Sequence, residues 1–172
     1  MFVDIFSTDN KYKTIYADPP WKETGGGKIP RGAQRHFSLM STADIMALPI
    51  GRICEDNCHL YLWATNTHLP DGLKVMEAWG FSYKTFAHIW VKRSKKGTYK
   101  IGMGNWTRAN GEVVLLGIKG KPKRKSASVR QIIESIPREH SRKPDEIYDR
   151  IEKLVGKNVL KIELFARHKR KG

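Results

Sequence analysis

Cysteine is scarce in this chain and long apolar runs are missing. Two cysteines in 172 residues cannot build a disulfide framework, so a hydrophobic core has to hold the fold. Cys54 and Cys58 flank Glu55, Asp56 and Asn57, with His59 alongside. A structural zinc takes four ligands, and no second Cys/His pair follows at suitable spacing, so core packing is expected for both thiols and no metal is expected. No stretch approaches the roughly 18 apolar residues of a membrane span. Residues 1–12 carry Asp4, Asp9 and Lys11 where a secretory signal would be continuously apolar. The expectation is a cytoplasmic protein that does not touch a membrane. Acid is the remaining shortage: 17 Asp and Glu stand against 32 Lys and Arg, a formal charge of +15.

What is present points to one folded, basic domain spanning residues 1–172. A single core at this length buries roughly 70% of the surface of the unfolded chain. An apolar content of 40% with five Trp, six Tyr and six Phe is too rich for a disordered segment. The cations fall into clusters: Lys92, Arg93, Lys95, Lys96 and Lys100; Lys119, Lys121, Lys123, Arg124 and Lys125; Arg167, Lys169, Arg170 and Lys171. Any one of these alone reads as a solvated loop or tail. Three on one small domain, interleaved with Trp90, Tyr99 and Trp106, favour a nucleic acid as partner. An anionic membrane is the weaker match, because no basic stretch has a broad apolar face.

Hydrophobic periodicity predicts strands over residues 14–17, 58–64, 81–91, 113–118 and 159–165, and helices over 70–79 and 145–154. Ser41 and Asp44 form a capping-box pattern ahead of a short helix that stops before Pro49. Strands alternating with helices predict an α/β fold with a mostly parallel sheet and helices on both faces. The basic loops around 93–111 and 120–130 read as insertions leaving that sheet.

In open α/β sheets ligands bind beyond the carboxyl ends of strands, and Asp18-Pro19-Pro20-Trp21 follows the first expected strand directly. Such a tetrapeptide arises by chance in a chain this long on the order of a few times in ten thousand. A proline-rich turn with a packed Trp is the plain alternative. The chemical reading is sharper. Pro20 has no N–H and holds Pro19 extended, which leaves the Pro19 carbonyl free to accept a ligand hydrogen bond while Trp21 offers a stacking surface. With the Asp18 carboxylate this makes a pair of acceptors, suited to an exocyclic amine that must donate twice. Adenine carries that amine. Accepting both hydrogens favours pyramidal nitrogen and exposes its lone pair for attack, and a carboxylate with a reference pKa near 3.9 offsets the positive charge that grows there.

With Tyr16-Ala17 ahead of that motif, and with the segments 37–41, 60–63, 78–81, 89–92, 104–106, 116–120, 141–146 and 161–167 following in order, the chain resembles the DPPW-type adenine N(6)-methyltransferases. That family includes the messenger-RNA adenosine methyltransferases of eukaryotes and many bacterial and phage DNA enzymes. The resemblance covers nearly the whole chain. It implies a Rossmann-like methyltransferase domain in permuted order, using S-adenosylmethionine as methyl donor. It implies Asp18, Pro19, Pro20 and Trp21 as the catalytic motif, with Asp18, Lys143, Phe165 and Arg167 at the cofactor and Lys143 pairing with the cofactor carboxylate. Trp21 and Phe37 would line the base pocket. Asn105 and Trp106 would shape the nucleic-acid channel or a contact with a second copy or related subunit. From their charge rather than from the resemblance, Lys121, Lys123, Arg124 and Lys125 are expected to bind the nucleic-acid substrate. Compactness favours DNA over RNA as substrate; an RNA enzyme, or a non-catalytic nucleic-acid-binding partner subunit, are the alternatives.

Overall fold

The computed structural model describes residues 3–22, 39–102, 106–139 and 141–166. These residues build six strands and four α-helices: β1 (Tyr12–Ala17), α1 (Thr42–Met46), α2 (Ile50–Ile53), β2 (Cys54–Ala64), α3 (Leu69–Ala78), β3 (Ser82–Lys92), β4 (Gly111–Lys119), β5 (Ile132–Ser135), α4 (Glu146–Val155) and β6 (Lys161–Leu164). One sheet contains all six strands in the order β5-β3-β4-β2-β1-β6. β1 pairs parallel with β2 and β6, and β3 with β5, whereas β4 lies antiparallel to both β2 and β3. Five strands therefore point one way and β4 alone points back. The carboxyl ends of the five and the start of β4 share one end of the sheet, called here the upper end.

Alternation along each strand divides the core. Ile15, Ala17, Leu60, Leu62, Ala64 and Leu115 face one layer together with Ile45, Ile50, Ile53, Val75 and Met76 from α1, α2 and α3. Tyr16, Tyr61, Trp63, Trp90 and Val114 face the other, which α4 covers through Ile147, Ile151 and Val155 at four-residue spacing. The expected helices on both faces are thus present, three on one side and one on the other.

Local chemistry sets the element ends. Ser41 and Asp44 make both bonds of the capping box that starts α1. α3 stops in a left-handed turn at Gly80, φ +81°, where Gly80 N–H donates to Glu77 and Phe81 N–H donates to Met76, both at 2.9 Å. β2 starts four residues before its expected position because residues 55–57 loop out: Tyr12 faces Cys54, but Thr14 already faces His59. Cys54 and Cys58 both end up buried in the first core layer. The last strand stops at Leu164 because Phe165 turns to φ +62°. α2 and β5 have only four residues each, too few to show a period, and both form through pairing and packing with distant segments. Among the described residues no helix is long and apolar enough to cross a membrane.

His88, on β3, is buried, and its Nδ1 has no hydrogen-bond partner among the described residues. Burial, with a smaller push from Arg150, lowers its pKa to about 4. An unfolded histidine titrates near 6.5, so the unfolded state takes up the proton first and stability falls as pH drops from about 6.5 towards 4. The loss should approach about 3 kcal/mol. Urea titrations at pH 7 and pH 4 should show that loss in the wild type and a smaller one in His88→Phe.

Candidate active site

β1 is the strand at which the connections change sides: the link to β2 runs through α1 and α2 on one face, and α4 leads to β6 from the other. Its upper end is therefore the topological switch point, where open α/β sheets form their ligand crevice. Asp18 leaves β1 there. Phe165 lies beside it, because Ala17 pairs with Leu164. A bulky side chain rarely takes positive φ, and the two non-glycine residues with positive φ among the described residues, Phe165 and Ser141, sit on segments that reach this end.

Lys143, just ahead of α4, brings its ammonium 3.1 Å from Asp18 Oδ1 and 2.9 Å from Glu112 Oε2. Glu112 stands near the start of β4 and also pairs with Lys92 at the end of β3. Asp18, Lys143, Glu112 and Lys92 thus form a chain of alternating charge, drawn from four segments and mostly shielded from solvent. The Lys143 ammonium also lies 5.0 Å from the Trp63 ring centroid, and Lys92 4.8 Å from that of Trp90, so aromatic faces support both cations. Burial alone would raise the Glu112 carboxyl, but Lys143 and Lys92 outweigh it and hold its pKa down to about 2. Burial likewise works against the charge on Lys143, yet Asp18 and Glu112 raise it above the ordinary lysine range. The row is ionised throughout neutral pH at Glu112 and Lys143.

The proline turn is more tightly tied than its sequence suggests. Trp21 N–H donates to the Pro19 carbonyl at 2.9 Å, so the expectation of a wholly free Pro19 oxygen is corrected. A backbone carbonyl has two lone pairs, and one acceptor position remains after that bond. Pro20 O accepts from Met40 N–H at 2.9 Å and Lys22 N–H donates to Met40 O at 3.1 Å, which fastens the motif to the segment ahead of α1. Trp21 does not offer an open stacking face either. It is buried, its indole N–H donates to Trp63 O at 3.1 Å, and its ring stacks on His68 at 5.4 Å. His68 Nε2 lies 3.1 Å from Lys22 O and Nδ1 2.7 Å from Thr65 Oγ1. Since a carbonyl only accepts, Nε2 carries the proton and Nδ1 accepts the threonine hydroxyl. Trp63 completes the support by donating its indole N–H to Tyr16 Oη at 2.7 Å.

The other sequence-selected residues divide sharply. Asp18, Pro19, Pro20, Trp21, Lys143 and Phe165 come together at the upper end. Phe37, Asn105 and Arg167 lie outside the described residues. Trp106 is 98% exposed, on the connection between β3 and β4, which also leaves the upper end; it is no packed anchor. Lys121, Lys123, Arg124 and Lys125 follow β4, the one reversed strand, and so lie at the lower end of the sheet, away from Asp18. Glu112, Lys92, Trp63 and His68 are site residues that motif reasoning did not select. Glu112 does leave a trace, being the only acidic residue between positions 94 and 133.

A sequence profile of the MT-A70 family matches residues 12–172. The chain belongs to the MT-A70 family. Its similarity to named members is spread along nearly all of its length. It is 32% identical to the Type II methyltransferase M.MunI of Mycoplasma sp, over 92% of this chain and 73% of that protein. It is 30% identical to the N(6)-adenosine-methyltransferase MT-A70-like protein of Arabidopsis thaliana and 29% identical to the N(6)-adenosine-methyltransferase catalytic subunit METTL3 of Homo sapiens, over 96% of this chain in each case. This MT-A70 chain spans nearly three quarters of the bacterial relative but only about a quarter of those eukaryotic proteins.

Removing one member of a buried charge row strands its partners. Glu112→Ala should destabilise the fold by about 3 kcal/mol, measured by urea denaturation at pH 7. A change below about 0.5 kcal/mol, the range of ordinary surface substitutions, would mean that Lys143 and Lys92 do not depend on this carboxylate.

Proposed function

We propose that this MT-A70 chain is an S-adenosylmethionine-dependent methyltransferase acting on the exocyclic amine of adenine in nucleic acid, with DNA favoured over RNA. The observation that carries this reading is the pairing of Asp18 with the Pro19 carbonyl at the switch point of the sheet, with the Lys143 ammonium held beside them. The preference for DNA rests on the similarity to the Type II methyltransferase of Mycoplasma sp, 73% of which this chain spans.

The donor set fits the proposed cofactor. An amino-acid carboxylate requires a cation, and Lys143 has three N–H donors, of which Asp18 and Glu112 engage two. Lys143 would direct its third at that carboxylate, while Phe165 and the end of β6 border the same crevice. Among the described residues Asp18 and Glu112 supply the negative charge near a bound sulfonium. The cofactor contributes a methyl group on cationic sulfur, activated for displacement.

Asp18 and the remaining acceptor position of Pro19 would hold the two amine hydrogens. With both hydrogens held there, the nitrogen lone pair would be left exposed to accept the methyl group that the cofactor supplies. The amine becomes cationic as this happens, and the Asp18 carboxylate offsets that charge before the proton departs to solvent. No covalent enzyme intermediate is involved. Orientation supplies much of the acceleration, roughly 7 to 11 kcal/mol for well-aligned reactants. Trp21, pinned between His68 and Trp63, keeps the acceptor pair in place. A duplex substrate requires the adenine to leave the stack, at a cost of a few kcal/mol.

Asp18→Ala should lower methylation of adenine-containing oligonucleotides by at least about 100-fold while the fold persists, since Lys143 keeps Glu112. Turnover is read as N(6)-methyladenine after incubation with labelled donor and matched DNA and RNA strands; unchanged turnover would refute the assignment. Lys143→Ala should weaken S-adenosylmethionine binding about tenfold or more, as befits a charge-assisted hydrogen bond. Calorimetry with an unaltered dissociation constant would remove Lys143 from the cofactor site.

A further inference from the structure

The segment over residues 120–130 contains Lys121, Lys123, Arg124, Lys125 and Arg130 and no acid. It has no helix or strand, yet it is fastened along its length. Gly120 takes φ +65°, and Lys121 N–H donates to Asn57 Oδ1 at 2.7 Å. Lys125 N–H donates to Leu154 O at the end of α4, at 2.6 Å. Arg150 donates to the Arg130 and Ile132 carbonyls, and Gln131 to the Phe86 carbonyl. The backbone bonds hold the segment while its cations stay outside: Lys121, Lys123, Arg124 and Lys125 are exposed, and none pairs with a carboxylate among the described residues.

The position of this surface is what makes it informative. Ala17 is level with Leu62 and Leu115, and Lys119 lies four residues further down β4. At about 3.3 Å per residue and 4.8 Å between strands, the segment begins roughly 15–20 Å from Asp18. Lys153 and Lys157, at the carboxyl end of α4, are exposed at the same end. Glu55 and Asp56 are also there, but Glu55 faces Lys13 at 3.7 Å, so the cations of the segment remain in excess.

We propose that this lower face is a second polyanion-binding surface, which holds the phosphate backbone of the same nucleic acid whose target base enters the upper end. The proposal rests on the methyltransferase reading for the identity of the polyanion. A span of 15–20 Å corresponds to about four to six base pairs of duplex, so the contacts fall on flanking phosphates and carry no base specificity. A membrane surface fits less well, because the segment exposes no large apolar side chain and forms no amphipathic helix.

The test replaces Lys121, Lys123, Arg124 and Lys125 together by alanine and follows binding of a 24-base-pair duplex by fluorescence anisotropy from 50 to 200 mM salt. The slope of log affinity against log salt should become shallower by about 3.6, near 0.9 for each of the four lost phosphate contacts. A second variant, Lys121→Arg, Lys123→Arg and Lys125→Arg, should keep the wild-type slope, and both should keep the wild-type melting temperature. Stoichiometry should be one duplex per chain. An unchanged slope in the alanine variant, two duplexes per wild-type chain, or loss of binding confined to anionic phosphatidylserine vesicles would each overturn the proposal. Methylation by the wild-type chain is scored separately: without it the catalytic reading fails while the slope still reports on this surface.

Discussion

The contact on which the upper end depends is the one between Lys143 and its two carboxylates. Asp18 follows β1, Glu112 stands near the start of the reversed strand, and Lys143 precedes the helix that covers the opposite layer. One ammonium therefore joins three separate parts of the fold at a single point. Its desolvation is unfavourable, and two near carboxylates with an aromatic face below are what make it tolerable. The same compensation fixes where Asp18 points. Holding a charged group in place before any ligand arrives is the condition under which electrostatic stabilisation contributes without reorganisation.

Much of this was legible in the sequence, and the limits have physical causes. β2 was readable as a short apolar and aromatic run buried on both faces, and α3 and α4 were readable because helical spacing reports which face is buried. The four-residue elements α2 and β5 were not, since their formation depends on partners far along the chain. At the site, the acceptor motif Asp18-Pro19 stood out from its residue types, and Lys143 only from the resemblance. Glu112 did not, because a single acid in a strand has no motif around it; only the register of β4 brings it to Lys143. Trp21 illustrates the reverse case. Its type suggested a platform for a base, whereas its burial, its bond to Trp63 and its stack on His68 make it an anchor.

The distribution of cations was legible in amount and illegible in place. Clusters after β3 and after β4 look alike in one dimension. Because β4 runs against its neighbours, the first leaves from the end that carries Asp18 and the second from the opposite end. Exposed aromatic and basic groups around Tyr99 and Trp106 accordingly leave from the same end of the sheet as the proline turn, whereas the segment anchored on α4 does not.

The loop-out at residues 55–57 has a consequence for inheritance of the fold through mutation. β1 matches β2 in register only beyond that point, so three residues of β2 are left outside the ladder at its beginning. A deletion or insertion there could be absorbed by resizing the protrusion, leaving the spacing between Ala17, Leu62 and Leu115 intact. The same one-residue change between Leu60 and Trp63 would exchange the two faces of the strand and turn Trp63 away from Lys143. Tolerance to length variation in β2 is therefore concentrated at its first turn, remote from the chemistry.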